Sequence, residues 1–158
     1  MRYVTLGRTG LQAAQVSFGG IPIQRSDAAN TRAVVDRLEE HGMNFIDTAR
    51  GYTVSEAYLG AALEGRRDKF ILATKSMSRD KASMARDIDI SLGGLRTDHI
   101  DLYQLHNLPE KDVETVFGPG GAYEALAEAR AAGKIGHIGA TAHNADVLKK
   151  LVEEHGDK

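Results

Sequence analysis

Five short apolar runs, at residues 15–18, 43–49, 70–75, 100–106 and 135–141, each give way to a polar or glycine-rich stretch, and they read as β-strands. The segments between them carry apolar residues at helical spacing: Val34 and Leu38; Leu59, Ala62 and Leu63; Met84, Ile88, Leu92 and Leu95; and Val147, Leu148, Leu151 and Val152. Strand alternating with helix five times over dictates an α/β fold with a parallel sheet and right-handed crossovers. Two architectures meet that requirement, an open doubly wound sheet of flavodoxin type and part of an eight-fold barrel. The equivalent positions Ser17, Asp47, Lys75, His106 and Thr141 recur about every 31 residues. Eight such units would need about 250 residues, the usual barrel length.

Local signals agree with this division. Gly42, Gly65, Gly133 and Gly156 fall just past helical patterns, where a left-handed residue ends a helix, and Asn144 stands where its side-chain oxygen would cap the last one. Gly93-Gly94 predicts an early end to the third helix. Ahead of the first unit, residues 3–6 and 11–14 flank the turn residues Gly7-Arg8-Thr9-Gly10, which predicts an N-terminal β-hairpin over residues 1–14, followed by five βα units over residues 15–158.

Composition narrows the chemistry. Twenty Lys and Arg against 22 Asp and Glu give a net charge of −2, with basic residues only in short pairs such as Arg66-Arg67, so no nucleic acid or acidic membrane is expected as a partner. No run of 18 apolar residues and no signal-peptide core is found, and a cytoplasmic location is the expectation. The absence of cysteine excludes disulfides, thiolate metal sites and a cysteine nucleophile.

What remains is oxygen and nitrogen chemistry, and it gathers at strand ends. The second, third and fourth runs finish with Asp47, Lys75 and His106 on the same parity as Phe45, Ala73 and Gln104, and Tyr52 lies in the loop after the first of them. In a parallel sheet these side chains lie side by side at the carboxyl edge, where both candidate folds hold their ligands. A tyrosine hydroxyl has an unperturbed pKa of about 10, and a neighbouring ammonium lowers it. Lys75 can supply that charge, Asp47 can keep Lys75 protonated, and a neutral His106 can hydrogen-bond a polarised carbonyl oxygen. Singly, a strand-end Asp is often a helix cap, a Lys a solvated charge, a Tyr a loop anchor and a His a core residue. Their joint recurrence in consecutive units points to proton donation to an oxyanion, with no metal-ligand spacing and no nucleophile beside its own base.

The segments Asn44-Phe45-Ile46-Asp47-Thr48-Ala49-Arg50-Gly51-Tyr52, Leu72-Ala73-Thr74-Lys75 and Asp101-Leu102-Tyr103-Gln104-Leu105-His106-Asn107 resemble the three signature regions of the aldo/keto reductases. So do Leu6-Gly7-Arg8-Thr9-Gly10-Leu11 and Gly133-Lys134-Ile135-Gly136-His137-Ile138-Gly139, in the family's order. The resemblance implies a (β/α)8 TIM barrel, here partial with about five βα units, closed at its base by the hairpin. It implies a nicotinamide cofactor, NADPH or NADH, and a small-molecule carbonyl substrate reduced to an alcohol. Residue by residue, it makes Tyr52 the general acid, Lys75 its pKa-lowering partner, Asp47 the ion-pair support and His106 the orienter of the carbonyl.

For the cofactor, the resemblance implies backbone approach at Gly19 and Gly20, with Asp47 beside them. Where the family often has a Ser-Asn pair for the carboxamide, this chain has Thr141-Ala142, so Thr141 replaces the Ser hydroxyl and Asn144 either makes the amide contact or caps the last helix. The family's later units, which carry most pyrophosphate and adenosine contacts, find no counterpart before residue 158. A five-unit barrel has two open sheet edges, so self-association or pairing with a C-terminal half is expected. The alternative to a working reductase is a non-catalytic barrel fragment that acts as an interaction module.

Overall fold

Strands form where the apolar runs alternate their faces, and the computed structural model, which describes residues 1–156, contains all five in one parallel sheet. They are β3 (Phe18–Gly19), β4 (Phe45–Asp47), β5 (Ile71–Ser76), β6 (Ile100–Leu105) and β7 (Ile135–Ala140), hydrogen-bonded in chain order. The antiparallel hairpin of β1 (Tyr3–Thr5) and β2 (Gln12–Ala14) precedes them. The connections hold helices α1 (Ala28–Glu40), α2 (Ser55–Ala62), α3 (Lys81–Leu95), α4 (Val113–Phe117) and α5 (Ala122–Ala131), with α6 (Ala145–His155) after β7. Successive helices pack on one another, α1 on α2, α2 on α3 and α3 on α5. Sequential strands with sequential helices wind in one direction, which excludes the flavodoxin-type order.

The core lies between sheet and helices. Ile46, Leu72, Tyr103 and Leu105 point outward from the strands and meet Leu59, Leu63, Met84, Ile88 and Leu126, all buried. Residues of the opposite parity, among them Asp47, Lys75 and Gln104, face the inside of the curved sheet. At the amino ends of the strands, Asn44 stitches the hairpin on: its Oδ1 accepts from Ala14 N at 2.8 Å and its Nδ2 donates to Gln12 O at 2.9 Å.

Three local expectations are corrected. The first strand lies at Phe18–Gly19 rather than 15–18, because Gln15 N still donates to Arg2 O of the hairpin at 2.8 Å and Ser17 Oγ turns back to Ala14 O at 3.0 Å. Helix α3 runs through Gly93 and Gly94 to Leu95 and ends on Arg96, whose φ is 52°. Bare backbone is needed on the facing helix instead: a Cβ on Gly60 of α2 would lie 2.3 Å from the Gly94 carbonyl oxygen, so α2 packs closely on this part of α3, and that packing holds the helix through its two poor formers. Gly42, Gly65 and Gly133 are left-handed as expected, but Gly156 has φ −66°. Asn144 does cap α6, accepting from Asp146 N at 2.9 Å.

Candidate active site

The register explains how strand-end residues meet. Asp47 pairs with Ala73, not with Lys75, and Lys75 pairs with Gln104, not with His106. Each functional residue therefore sits two positions beyond its neighbour's register partner, and this stagger, inherent in tilted barrel strands, brings the side chains to one rim. Pairing continues past the regular strands: Thr48 N donates to Ala73 O at 2.8 Å, Arg50 N to Lys75 O at 2.9 Å and His106 N to Ser76 O at 2.8 Å.

Lys75 is 4% exposed, and its ammonium donates to Asp47 Oδ2 and, at 2.8 Å, to Thr48 O. Gln104 Nε2 donates to the other carboxylate oxygen of Asp47 at 3.2 Å. The ammonium nitrogen lies 5.0 Å from the centre of the Tyr52 ring, and that ring meets the His106 imidazole edge to face, 5.8 Å between centroids. Asp47, Tyr52, Lys75 and His106 are thus brought together. Burial holds the His106 pKa below 6.5, helped by the Lys75, Arg79 and His143 charges against the opposing pull of Asp47, so the ring is neutral near pH 7. Its Nδ1 is buried without a hydrogen-bond partner among the described residues.

Tyr52 is carried on a tight turn. Tyr52 N donates to Ala49 O at 3.0 Å and Ser55 N to Tyr52 O at 2.8 Å, and Thr53, exposed, takes φ 44°. Beneath it Glu56, 2% exposed, accepts from Arg50 Nη1 and, at 2.7 Å, from Thr74 Oγ1. Arg50 and Glu56 escaped the sequence reading, because a loop arginine and a glutamate in the first turn of the next helix read as solvated charges.

The candidate cofactor residues divide. Gly19 is exposed in register with Asp47, and a Cβ there would meet nothing within 4 Å, so the inner face beside Asp47 is open to a planar group. Gly20 is buried instead: its carbonyl accepts from Ser55 Oγ at 3.0 Å, and a Cβ would lie 2.9 Å from that same oxygen. Thr141 Oγ1 accepts from Asn107 N at 2.8 Å, and Asn144 Oδ1 is committed to the α6 cap. An open glycine strand end beside an ion pair, with the Tyr52 and His106 rings across the rim, fits a nicotinamide ring and a carbonyl between them.

Residues 13–158 match the family model described as the aldo/keto reductase family. The chain is 30% identical over 170 residues to the uncharacterized oxidoreductase YqkF of Bacillus subtilis, covering 98% of this chain and 53% of that one. Among solved structures it superposes with TM-score 0.85 and 32% identity on the holo form of an aldo-keto reductase from Bacillus halodurans, over 97% of this chain and 54% of that chain. It superposes with TM-score 0.82 and 25% identity on an aldo-keto reductase from Klebsiella pneumoniae in complex with NADPH, over 96% of this chain and 53% of that one. The chain therefore spans about half the length of these relatives, and its five-stranded sheet is part of a (β/α)8 barrel. With its sequence matched from the second hairpin strand onward, its sheet matched in topology and its strand-end residues gathered at one rim, the chain belongs to the aldo/keto reductase family.

Proposed function

We propose that this chain carries the acid–base set of an NAD(P)H-dependent reductase that converts small aldehydes or ketones to alcohols. The observation that carries the reading is the convergence of the Lys75 ammonium, the Asp47 carboxylate, the Tyr52 ring and a neutral His106 at one rim. A bound nicotinamide dinucleotide supplies hydride to the carbonyl carbon. Tyr52 gives its hydroxyl proton to the oxygen as negative charge develops there, and Lys75 stabilises the phenolate left behind. Asp47, oriented by Gln104, keeps Lys75 charged and fixed, and His106 donates a hydrogen bond to the same oxygen. Gly19 would admit the nicotinamide, while Gly20 supports from beneath through the Ser55 and Thr48 hydroxyls. The Thr141 hydroxyl keeps a lone pair and the Asn144 amide its N–H groups, so both stay candidates for the carboxamide. NADPH is preferred because the Klebsiella relative is described in complex with it.

The test is oxidation of NADPH, with NADH in parallel, by a reactive aldehyde. Tyr52→Phe should cost on the order of 10² to 10⁴ in rate. Equal rates for both proteins would remove Tyr52 from the mechanism.

One feature favours the alternative of an interaction module. Among the described residues strand β7 has no neighbour on its outer side, and beside it an apolar cleft of about 440 Å³ is lined by Leu105, Ile138, Leu148, Leu151 and Val152, the last 72% exposed. In this reading β7 pairs with a second copy or with a separately supplied C-terminal half. Light scattering with and without NADPH separates the two: cofactor binding by a monomer supports the enzyme alone, and assembly without cofactor binding supports the module.

A further inference from the structure

The orientation of an imidazole is usually fixed through one of its own nitrogens, yet His106 Nδ1 makes no such bond among the described residues. Beyond the ring contact with Tyr52, what holds it is the turn that carries it, and that turn is gripped from two sides. From the β7 side, Thr141 accepts Asn107 N on its hydroxyl at 2.8 Å and Leu108 N on its carbonyl at 2.7 Å. From the β5 side, one guanidinium nitrogen of Arg79 donates to His106 O at 2.8 Å and to Asn107 O at 3.1 Å, while its Nε lies 3.2 Å from Asp112 Oδ2. Between these grips Asn107 is held at φ 47°. The Arg79 side chain is 17% exposed, and its backbone carbonyl accepts Ala122 N at 2.9 Å, so three loops meet on this residue.

We propose that Arg79 is a positioning residue for His106: anchored on Asp112, its guanidinium clamps the two carbonyls of the turn and sets the imidazole against Tyr52. The inference rests on the acid–base reading for its consequence in turnover, but not for its geometry. A lysine could keep the charge and would lose the planar fork that joins the two carbonyls, bonded by Nη2, to Asp112, bonded by Nε. The groups facing His106 are Asp47 from β4, Tyr52 from the loop after it, Lys75 from β5, Arg79 from the loop before α3 and His143 from the loop before α6. Deleting the Arg79 charge removes one of the cations that disfavour imidazolium, so the titration midpoint of His106 must rise.

The experiment is nitrogen-15 correlation spectroscopy of the histidine rings in the full chain, titrated with pH, for the wild type, Arg79→Met and Arg79→Lys, with His106→Gln to assign the signal. Arg79→Met should displace the His106 resonances and raise the midpoint toward 6.5, and turnover should fall about 10-fold to 100-fold with its acid limb moved the same way. Arg79→Lys should displace the resonances while leaving the midpoint low. Unchanged resonances and midpoint in Arg79→Met overturn the proposal; if that variant does not fold, unchanged resonances in Arg79→Lys do so. Ring signals report position whether or not the chain reduces carbonyls, so a failure of the acid–base reading, seen with Tyr52→Phe, is told apart from a failure of this one.

Discussion

Each end of the parallel sheet carries a cation–carboxylate pair linking neighbouring elements, Lys75 with Asp47 at the carboxyl ends and Arg67 with Asp101 at the amino ends. The lower pair is tied into backbone. Asp101 Oδ2 accepts from Arg67 Nη2 at 2.7 Å and from Leu72 N at 2.8 Å, and Arg67 also reaches the carbonyls of Phe70 and His99. The upper pair borders open space: Asp47 is a third exposed and Gly19 is open. Ion pairs of the same type thus do different work. The lower acid ties a guanidinium and a strand backbone together as a staple, and the upper one borders open space where a ligand fits.

The comparison breaks most visibly at the pairs themselves. Lys75→Met should lower carbonyl reduction by on the order of 10² to 10⁴ while changing stability little, because Asp47 can turn to water and to Gln104. Asp101→Ala should do the reverse. It strands Leu72 N and the Arg67 guanidinium in a site where each is about one-fifth exposed or less, costing about 2–4 kcal/mol in urea denaturation. Equal stability losses in the two variants would erase the distinction.

A smaller effect sharpens it from the pH side. Burial and nearby cations hold the folded-state pKa of His106 below the ordinary value of 6.5 that the unfolded chain regains. Between those two values the unfolded state binds more protons, so stability should fall as pH drops from about 6.5 and stop falling below the folded pKa. The difference in urea midpoint between pH 8 and pH 5 should therefore be larger in the wild type than in His106→Gln. An identical difference would mean that the imidazole is freely solvated.

The legible part of this molecule was what repeats. Apolar runs ending in Asp47, Lys75 and His106 announced both the strands and the rim, since strand parity alone decides which side chains share a face. The residues that support the rim were not legible. Arg79 makes its bonds to carbonyls 27 and 28 residues away, and backbone acceptors leave no trace in side-chain identity. Thr141 was visible as a polar residue at a strand end, but its hydroxyl serves the 106–108 turn first. The two-residue stagger between β4, β5 and β6 is likewise a property of strand tilt, so the sequence placed Asp47 and Lys75 side by side where the register sets them two residues apart. Glycine pairs misled for a related reason: Gly94 reads as a helix end but is the surface on which Gly60 packs.

Backbone conformation separates the two ends as well, at the scale of a single side chain. Among the described residues, three that are not glycine have positive φ: Thr53 and Asn107 adjoin Tyr52 and His106, whereas Arg96 ends α3. Asparagine tolerates that region, but a β-branched threonine at φ 44° does not, and the left-handed conformation costs it about 1–2 kcal/mol. Thr53 is exposed, so Thr53→Gly removes little packing. The glycine relieves the clash but returns about 0.4–1 kcal/mol through the greater freedom of the unfolded chain. The net expectation is a gain of about 0.5–1 kcal/mol, a rise in Tm of about 1–4 °C for a chain of this length. Activity is the sharper readout, because the Ala49 and Ser55 hydrogen bonds hold Tyr52 whatever residue follows it. A stabilised variant with unaltered turnover would assign the strain to the turn alone, and a stabilised variant with reduced turnover would show that the strained threonine helps to aim the tyrosine.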